Sequence, residues 1–454
     1  MALEPISISD QAIGFLMSLV REHARPYQAR AHLAQHPVRA LLARLGDPHV
    51  DLPVVHIAGS KGKGSTALYL EAILNAAGLS TGTFTSPHLQ RWTERYRVDG
   101  RESTGSEFAA LFARLQPHVL ALQGENAESA PGFFDLLTAA AFVLFAEKRV
   151  DCAIIETGIG GRLDATNVVR PMLGCITSVE CEHTDKLGTS IAAIAGEKAG
   201  IIKQGVPVVI GPLPDDAESV IRARAAGLGA AVSALGQEIA LSSRPGPDGG
   251  LAIRVIDAGR EYHAVLPASA SDCHARNAAL AIACAHRVAG QNEGRLERAI
   301  TRALPDTRPP GRMEVVGEHP WVVIDGAHTP ASTRALAEML KGLPARRMHL
   351  IVSLSAARDS AAVLAPLLER AHRVVITSAE PTRSLDSKRV AAALVAGGYP
   401  ASRLRAIADP RKAVLETHQA LAAHDLLCVA GSMYMAGVAR ETLLGDGITP
   451  RPLR

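Results

Sequence analysis

The feature that most constrains the fold is residues 53–78, PVVHIAGSKGKGSTALYLEAILNAAG. A short apolar run leads into a glycine-rich turn, and a helical pattern follows that ends at Gly78. Apolar runs of this length are typical of buried strands, and the change to a longer, helix-like period marks the start of a helix. The segment therefore predicts an α/β fold in which a loop connects a buried strand to the N-terminus of a helix.

The turn itself, GSKGKGS, has the composition of a phosphate-binding loop. Glycines allow successive main-chain N–H groups to point at phosphate oxygens, and the helix adds its positive N-terminal end. Lys63 would reach the β- and γ-phosphates, and Ser65 or Thr66 would serve Mg²⁺ or a phosphate. The standard spacing is not met, because Ile57 stands where the first glycine belongs, and a plain glycine-rich turn is the alternative. The predicted nucleotide-binding residues of this segment are Gly59, Ser60, Lys61, Gly62, Lys63, Gly64, Ser65 and Thr66.

Two further polar segments follow predicted buried strands, IIETGIGGRLDATN at residues 154–167 and TSVECEHTDKLG at residues 177–188. Open α/β sheets bind ligands at this edge, so Glu156 is predicted as a Mg²⁺ ligand or as an activator of a water molecule. His183, taken to end the strand at residues 172–179, is a second possible ligand. The alternative is a histidine on the surface or one whose hydrogen bonds are satisfied in the core. The GIGG run lacks the third glycine of a dinucleotide-binding fingerprint, which weakens that interpretation.

The C-terminal part of the chain has a separate α/β pattern. Residues 303–311, ALPDTRPPG, are proline-rich and predict a linker between domains. Strand-like segments then alternate with helical ones, which favours a parallel, Rossmann-like sheet. The predicted strands are residues 321–325, 349–353, 373–377, 404–408 and 426–430. Two domains are therefore predicted, residues 1–304 and 305–454, with a surface loop at residues 242–250 of the first.

Composition limits the class of function. The net charge is +3 with no basic run, which argues against a nucleic-acid partner. The longest apolar run, residues 136–146, is too short to span a bilayer, and the N-terminus lacks the basic start of a signal peptide. None of the six cysteines forms a CxxC pair, which is typical of a reducing compartment. A cytoplasmic enzyme without nucleic-acid or membrane partners is expected.

Seven motifs together resemble the folylpolyglutamate synthase/dihydrofolate synthase branch of the Mur ligase superfamily. They are GSKGKGS, FTSPHLQRWTERYRVDG, ETGIGGRLDATN, EHTDKLG, EKAGIIK, PPGRMEVV and VVIDGAHTPAS, in this order from about residue 53 to residue 432. The resemblance implies an N-terminal P-loop-type ATPase domain and a C-terminal Rossmann-like ligase domain, with ATP bound between them. It also implies ATP-dependent ligation of L-glutamate to the carboxylate of dihydropteroate or a reduced folate, through an acyl phosphate.

The resemblance assigns roles to single residues. Lys63, Gly64 and Ser65 would hold the triphosphate, and Ser86, Glu156 and His183 would match the family's Mg²⁺ ligands. Lys198 stands where the family carries a carbamylated lysine, whose anionic oxygen would suit a second Mg²⁺. Lys63, Glu156, His183 and Lys198 are thus expected to carry catalysis. The remaining matches are Asn277, Arg312, Asp325 and His328 for the nucleotide, and Arg383 and Ser432 near the glutamate site.

The chain departs from the family pattern at several positions and leaves alternatives open. Lys61 stands where many bacterial members have asparagine, and Glu182 precedes His183 in place of an aspartate. The other departures are His274, Thr329 and the pair Arg358–Asp359. They leave the acceptor open, so a Mur-type ligase with a non-folate acceptor is the main alternative. A non-catalytic ATP-binding paralogue and a small-molecule kinase are weaker ones, and a monomer is expected.

Overall fold

The structure is a computed structural model that describes residues 6–22, 37–126, 130–289, 293–354, 360–380 and 384–445. The chain forms two compact units, which divide between Thr307 and Arg308 inside the proline-rich segment. Two short segments, Leu89–Arg91 and Ala268–Ser271, group with the second unit although they lie within the sequence of the first.

The first unit is built on a mixed sheet of eight strands. The strands are β1 (Val54–Ala58), β2 (Thr81–Phe84), β3 (Tyr96–Val98), β4 (Arg101–Glu102), β5 (Cys152–Glu156), β6 (Leu173–Ile176), β7 (Val208–Ile210) and β8 (Val232–Ala234). Their order in the sheet is β4-β3-β2-β5-β1-β6-β7-β8. Strands β2, β5, β1, β6, β7 and β8 are parallel, whereas β3 and β4 pair antiparallel at one edge. The carboxyl ends of β1, β5 and β6, three adjacent strands, therefore meet at the same sheet edge.

Helices cover this sheet because its central strands are apolar on both faces. The helices are α1 (Ser9–Glu22), α2 (Pro37–Arg44), α3 (Lys63–Ala76), α4 (Gly105–Glu125), α5 (Phe133–Lys148), α6 (Thr184–Leu187), α7 (Ile191–Ala199), α8 (Asp215–Gly227), α9 (Asp272–Val288) and α10 (Glu293–Ala303). Helix α5 is apolar around its whole circumference and is buried from Asp135 to Phe145, as expected for a helix inside a core. Within the described residues, no helix is both long and apolar enough to cross a membrane.

A second, antiparallel sheet corrects one sequence prediction. It consists of β9 (Ile239–Pro245), β10 (Leu251–Asp257) and β11 (Arg260–Leu266), in the order β11-β10-β9. The loop predicted at residues 242–250 is therefore wrong for its first four residues, which belong to β9. The misleading signal was polarity: Ser242, Ser243 and Arg244 are exposed, because an edge strand on the surface can carry polar side chains.

The second unit has a six-stranded sheet. Its strands are β12 (Glu314–Glu318), β13 (Trp321–Ile324), β14 (Arg347–Val352), β15 (Ala371–Ile376), β16 (Leu404–Ala406) and β17 (Asp425–Ala430), in the order β12-β13-β17-β14-β15-β16. The five predicted strands are confirmed and are parallel, but β12 was not predicted and pairs antiparallel with β13. The helices are α11 (Pro330–Leu340), α12 (Ser360–Leu368), α13 (Ser387–Ala396), α14 (Pro410–Gln419) and α15 (Met433–Leu444).

Candidate active site

The glycine-rich loop lies between β1 and α3, as its sequence predicts. Gly62 precedes the helix with the left-handed backbone angles φ 85° and ψ −11°. The hydrogen-bond ladder begins with the N–H of Thr66, which donates to the carbonyl of Gly62 at 2.8 Å. The N–H groups of Lys63, Gly64 and Ser65 precede that ladder, so they are the donors that a helix N-terminus offers to an anion.

Close approach of neighbouring segments explains why this loop needs glycine. A Cβ atom at Gly59 would lie 2.0 Å from Oγ1 of Thr177, and one at Gly62 would lie 2.4 Å from Oδ1 of Asn277. A Cβ at Gly64 would lie 3.3 Å from Oε2 of Glu156. Two of the predicted site residues, Asn277 on α9 and Glu156 at the end of β5, are thereby brought to the loop.

Gly62→Ala is expected to weaken nucleotide binding, because the new methyl group would displace Asn277 from the loop. Gly46→Ala is the matched control, since Gly46 has a similar φ of 80° but has nothing within 4 Å of its Cβ position. Left-handed backbone costs an alanine roughly 1–2 kcal/mol, so both variants should lose about this much unfolding free energy. Only Gly62→Ala should bind a fluorescent ATP analogue more weakly in a titration, and equal binding by the two variants would contradict the prediction.

The phosphate loop is fastened to the segment that follows β6. The N–H of Ser60 donates to the carbonyl of Ser178 at 2.9 Å, and the N–H of Lys61 donates to Oγ of Ser178 at 2.8 Å. In the other direction, Oγ1 of Thr177 donates to the carbonyl of Lys61 at 2.6 Å, and the N–H of Glu180 donates to Oγ of Ser60 at 2.9 Å. These bonds make the two loops one platform.

Glu156 and Lys63 lie together at the end of β5. Nζ of Lys63 donates to the carbonyl of Gly59 at 2.9 Å and lies 3.9 Å from Oε1 of Glu156. The other carboxylate oxygen of Glu156 accepts from the N–H of Ser86 at 3.0 Å. Three residues predicted for phosphate and metal binding, Lys63, Glu156 and Ser86, are therefore in direct contact or adjacent.

A second charged group links Lys61, Glu182 and Lys198. Nζ of Lys61 donates to Oε2 of Glu182 at 3.0 Å, and Nζ of Lys198 donates to Oε1 of the same carboxylate at 3.4 Å. The Lys198 side chain is only 1% exposed. Burial and the charge of Lys63 lower the pKa of Lys198 to about 8. Burial opposes ionisation of Glu182, but Lys61 and Lys198 outweigh it and lower its pKa to about 2.

The placement of His183 corrects the sequence prediction. Strand β6 ends at Ile176, three residues earlier than predicted, and the side chains of the next two residues, Thr177 and Ser178, bond to the phosphate loop. His183 therefore does not end a strand. It caps the short helix α6 with φ 48° and ψ 40°, and it is exposed.

In the second unit, the predicted nucleotide residues cluster at the end of β13. The buried carboxylate of Asp325 accepts from the N–H groups of Met313 and Ala327 at 2.7 and 2.6 Å. Burial raises the pKa of Asp325, and the charge of Arg312 opposes this. Nδ1 of His328 lies 2.6 Å from the carbonyl of Gly326.

Of the two residues predicted near the glutamate site, the structure describes Ser432. Oγ of Ser432 accepts from the N–H of Met435 at 3.0 Å and caps α15. Arg383, as well as Arg358 and Asp359, lies outside the described residues.

One buried network of this site was missed by sequence reasoning. The carboxylate of Asp164 accepts from the N–H groups of Gly158 and Ile159, both at 3.0 Å, and so shapes the loop after Glu156. It also accepts from Oγ1 of Thr166 at 2.6 Å, and that oxygen lies 2.8 Å from Nε2 of the buried His56 on β1. An aspartate before a short turn was the available signal, because aspartate bonds readily to nearby main-chain N–H groups.

The half-buried rings of His88, Trp92 and Phe133, which follow β2 in the sequence, form a cluster. Trp92 lies with its ring centroid 4.5 Å from that of His88 and 5.7 Å from that of Phe133. The guanidinium of Arg95 lies 5.4 Å from the Trp92 centroid, and its Nε donates to Nδ1 of His88 at 3.0 Å. Burial and the charge of Arg95 lower the pKa of His88 to about 3, so this imidazole is neutral and can accept that bond. The group offers flat ring faces, and its first member, His88, is two residues after Ser86 in the sequence.

The oxygen donors of the site fit Mg²⁺, which prefers carboxylate and hydroxyl oxygens. Glu156 supplies a buried carboxylate, and the buried hydroxyls of Thr66 and Thr157 have no hydrogen-bond partner in the structure. Within the part of the chain that the structure describes, no three His, Cys, Asp or Glu side chains converge as a metal site. Lys198 would fit a metal only if its amine became an anionic oxygen donor.

Comparison with protein families places this site in a known class. The Mur ligase middle domain matches residues 57–285, and the Mur ligase glutamate ligase domain matches residues 311–433. These two domains define the chain as a Mur ligase. The chain is 34% identical over 412 residues to the dihydrofolate synthase/folylpolyglutamate synthase of Bacillus subtilis, covering 89% of this chain and 94% of that protein. It therefore belongs to the folylpolyglutamate synthase/dihydrofolate synthase family, and it is an ATP-dependent glutamate ligase.

Other relatives agree with this placement. A probable bifunctional folylpolyglutamate synthase/dihydropteroate synthase of Halobacterium salinarum is 35% identical over 95% of this chain, which spans about half (51%) of that protein's length. The Mycobacterium tuberculosis folylpolyglutamate synthase complexed with ADP superimposes with a TM-score of 0.86 at 31% identity, covering 98% of this chain and 100% of that one. Escherichia coli FolC in complex with DHPP and ADP gives a TM-score of 0.79 at 29% identity, covering 95% of this chain and 97% of that one.

Proposed function

We propose that this ligase joins L-glutamate to the carboxylate of both dihydropteroate and reduced folates. The observation that carries the proposal is the group of half-buried rings at Trp92, His88 and Phe133, which begins two residues after Ser86 in the sequence. Flat aromatic faces suit a pteridine ring, since stacked or edge-to-face rings gain about 0.5–1.5 kcal/mol beyond their burial. The E. coli relative in complex with DHPP and ADP supports an acceptor of this kind.

A carboxylate does not condense with an amine at neutral pH, so the acceptor must first be activated. In the proposed route an oxygen of the acceptor carboxylate attacks the γ-phosphorus of ATP, the bond to the β-phosphate oxygen breaks, and ADP leaves. The amine of glutamate then attacks the acyl carbon of the acyl phosphate. Inorganic phosphate leaves with the bonding electron pair, and the amine loses a proton as the amide forms.

The first step brings two anions together, so neutralisation of charge decides its rate. Lys63 extends from the start of α3 and would contact the phosphates, while the N–H groups of Gly64 and Ser65 offer further donors. Ser86, Glu156 and His183 would hold Mg²⁺, which supplies charge neutralisation on the phosphates when it is bound. Asn277, Arg312, Asp325 and His328 stay predicted nucleotide contacts, with residues 1–304 and 305–454 as the ATPase and ligase domains.

Carbamylation of Lys198 is part of the proposal. Its support is the burial of the side chain and a pKa of about 8, because the neutral amine is the form that reacts. The nitrogen lone pair attacks the carbon of CO₂, the N–C bond forms, and one proton leaves to solvent. The product is an anionic oxygen donor at a position where the unmodified ammonium would repel Mg²⁺.

A Mur-type ligase that uses a non-folate acceptor is the remaining alternative. The two acceptor classes differ in shape, because a peptide-like precursor has no fused ring to lie against Trp92. The kinase and the non-catalytic paralogue are not favoured, since the chain belongs to a family of amide-forming ligases. A cytoplasmic monomer that takes only small-molecule substrates stays the expectation for compartment and assembly.

The test is ADP release by the purified chain with MgATP and glutamate, in the presence of dihydropteroate, tetrahydrofolate or no acceptor. Release with both acceptors, but not without one, is the expected result. Release with one acceptor restricts the enzyme to a dihydrofolate synthase or a folylpolyglutamate synthase. ATP binding without release by either acceptor would contradict the proposal and favour a non-folate acceptor, for which UDP-linked peptide precursors are the next substrates to assay.

A further inference from the structure

The Lys61 side chain has a carboxylate partner in the neighbouring loop. Its Nζ donates to Oε2 of Glu182 at 3.0 Å, across 121 residues of sequence. Its main-chain N–H donates to Oγ of Ser178 at 2.8 Å, and its carbonyl accepts from Oγ1 of Thr177 at 2.6 Å. Both the main chain and the side chain of Lys61 therefore hold the segment that follows β6.

Glu182 is shared between two lysines. One carboxylate oxygen takes the 3.0 Å bond from Lys61, and the other takes the longer, 3.4 Å bond from the buried Lys198. The contact of Glu182 with Lys61 is therefore shorter than its contact with Lys198. If Lys198 lost its positive charge, Glu182 would still have a cation in contact.

We infer that Lys61 is a positioning residue that stabilises the carbamylated state of Lys198 by holding and neutralising Glu182. This inference rests on the carbamylation proposed above. The modification converts the neighbour of Glu182 from a cation into an anion, so two negative groups come to lie side by side in a largely buried site. Like charges in such a site repel strongly unless a cation is in contact with one of them, and Lys61 is that cation.

The experiment measures the carbamate on the purified full-length chain by ¹³C NMR as ¹³C-bicarbonate is added. Lys61→Met should raise the bicarbonate concentration for half-occupancy by about tenfold or more, because it removes an opposite charge in contact with Glu182. Lys61→Arg keeps a cation and should stay near wild type. The double variant Lys61→Met/Glu182→Gln should recover most of the loss, because the uncompensated carboxylate is gone.

Recovery in the double variant separates positioning by charge from simple damage to the loop, which a second substitution would not repair. The inference is overturned if Lys61→Met titrates like wild type, or if the double variant is no better than the single one. A wild-type chain without any carbamate signal at saturating bicarbonate would overturn the proposed modification itself and this inference with it. That outcome is distinguishable, because it appears before any variant is compared, and the ligation proposal is tested separately by ADP release.

Discussion

Lys63→Ala is expected to lose about 10²–10³ of turnover, which corresponds to ~2.7–4 kcal/mol of transition-state stabilisation. The first step joins an anionic carboxylate to an anionic phosphate, and Lys63 is the side-chain cation at the start of α3, 3.9 Å from Glu156. Its removal should lower kcat more than it raises KM for ATP, because the loop N–H groups still bind the ground state. Steady-state ADP release with a saturating acceptor measures both parameters.

The variant should stay folded, although in the free protein it loses one hydrogen bond to the carbonyl of Gly59, worth about 0.5–1.5 kcal/mol, and the charge contact with Glu156. Chemical denaturation followed by circular dichroism checks this point. Lys341→Ala is the control, because Lys341 is an exposed lysine directly after α11 whose ion pair with Glu338 lies on the surface. Turnover of Lys63→Ala close to that of the control would contradict the role of the phosphate loop.

Most of the fold could be predicted from local sequence patterns. The apolar run, the glycines and the helical period of residues 53–78 specify β1, the loop and α3, because each depends on neighbours in sequence. The alternation beyond the proline-rich segment likewise predicted five strands of the second sheet. Strand β12 was not predicted, because only part of it is buried and a half-exposed edge strand has no continuous apolar run.

Long-range contacts could not be predicted in this way. The pair formed by Lys61 and Glu182 joins loops that are 121 residues apart, and nothing in the spacing of either motif indicates it. The position of His183 could not be predicted either, because the segment before it bonds to the phosphate loop, which lies more than 100 residues earlier in the sequence. Glu156 could be assigned to a ligand-binding edge from the sequence, because it lies at the end of a buried strand of an open α/β sheet.

Lys198→Ala is expected to lose at least ~10² of turnover and to regain part of it when short carboxylic acids such as formate or acetate are added. The truncation removes the proposed anionic ligand and leaves a space where a buried side chain, 1% exposed, had been. A small carboxylate can occupy that space and supply the missing anionic oxygen. The amine of an unmodified lysine has no such oxygen. ADP release measured against acid concentration, at constant pH and ionic strength, gives the rescue curve.

Lys198→Met is the matched control, because methionine fills the same space without an oxygen or a charge. It should be as inactive as Lys198→Ala, and the acids should not rescue it. In both variants Glu182 keeps its 3.0 Å bond to Lys61, so the platform of the two loops should persist. Failure of every short acid to rescue Lys198→Ala, in a folded protein that still binds ATP, would contradict an anionic role for residue 198. Equal rescue of both variants would instead show that the acids act elsewhere in the site.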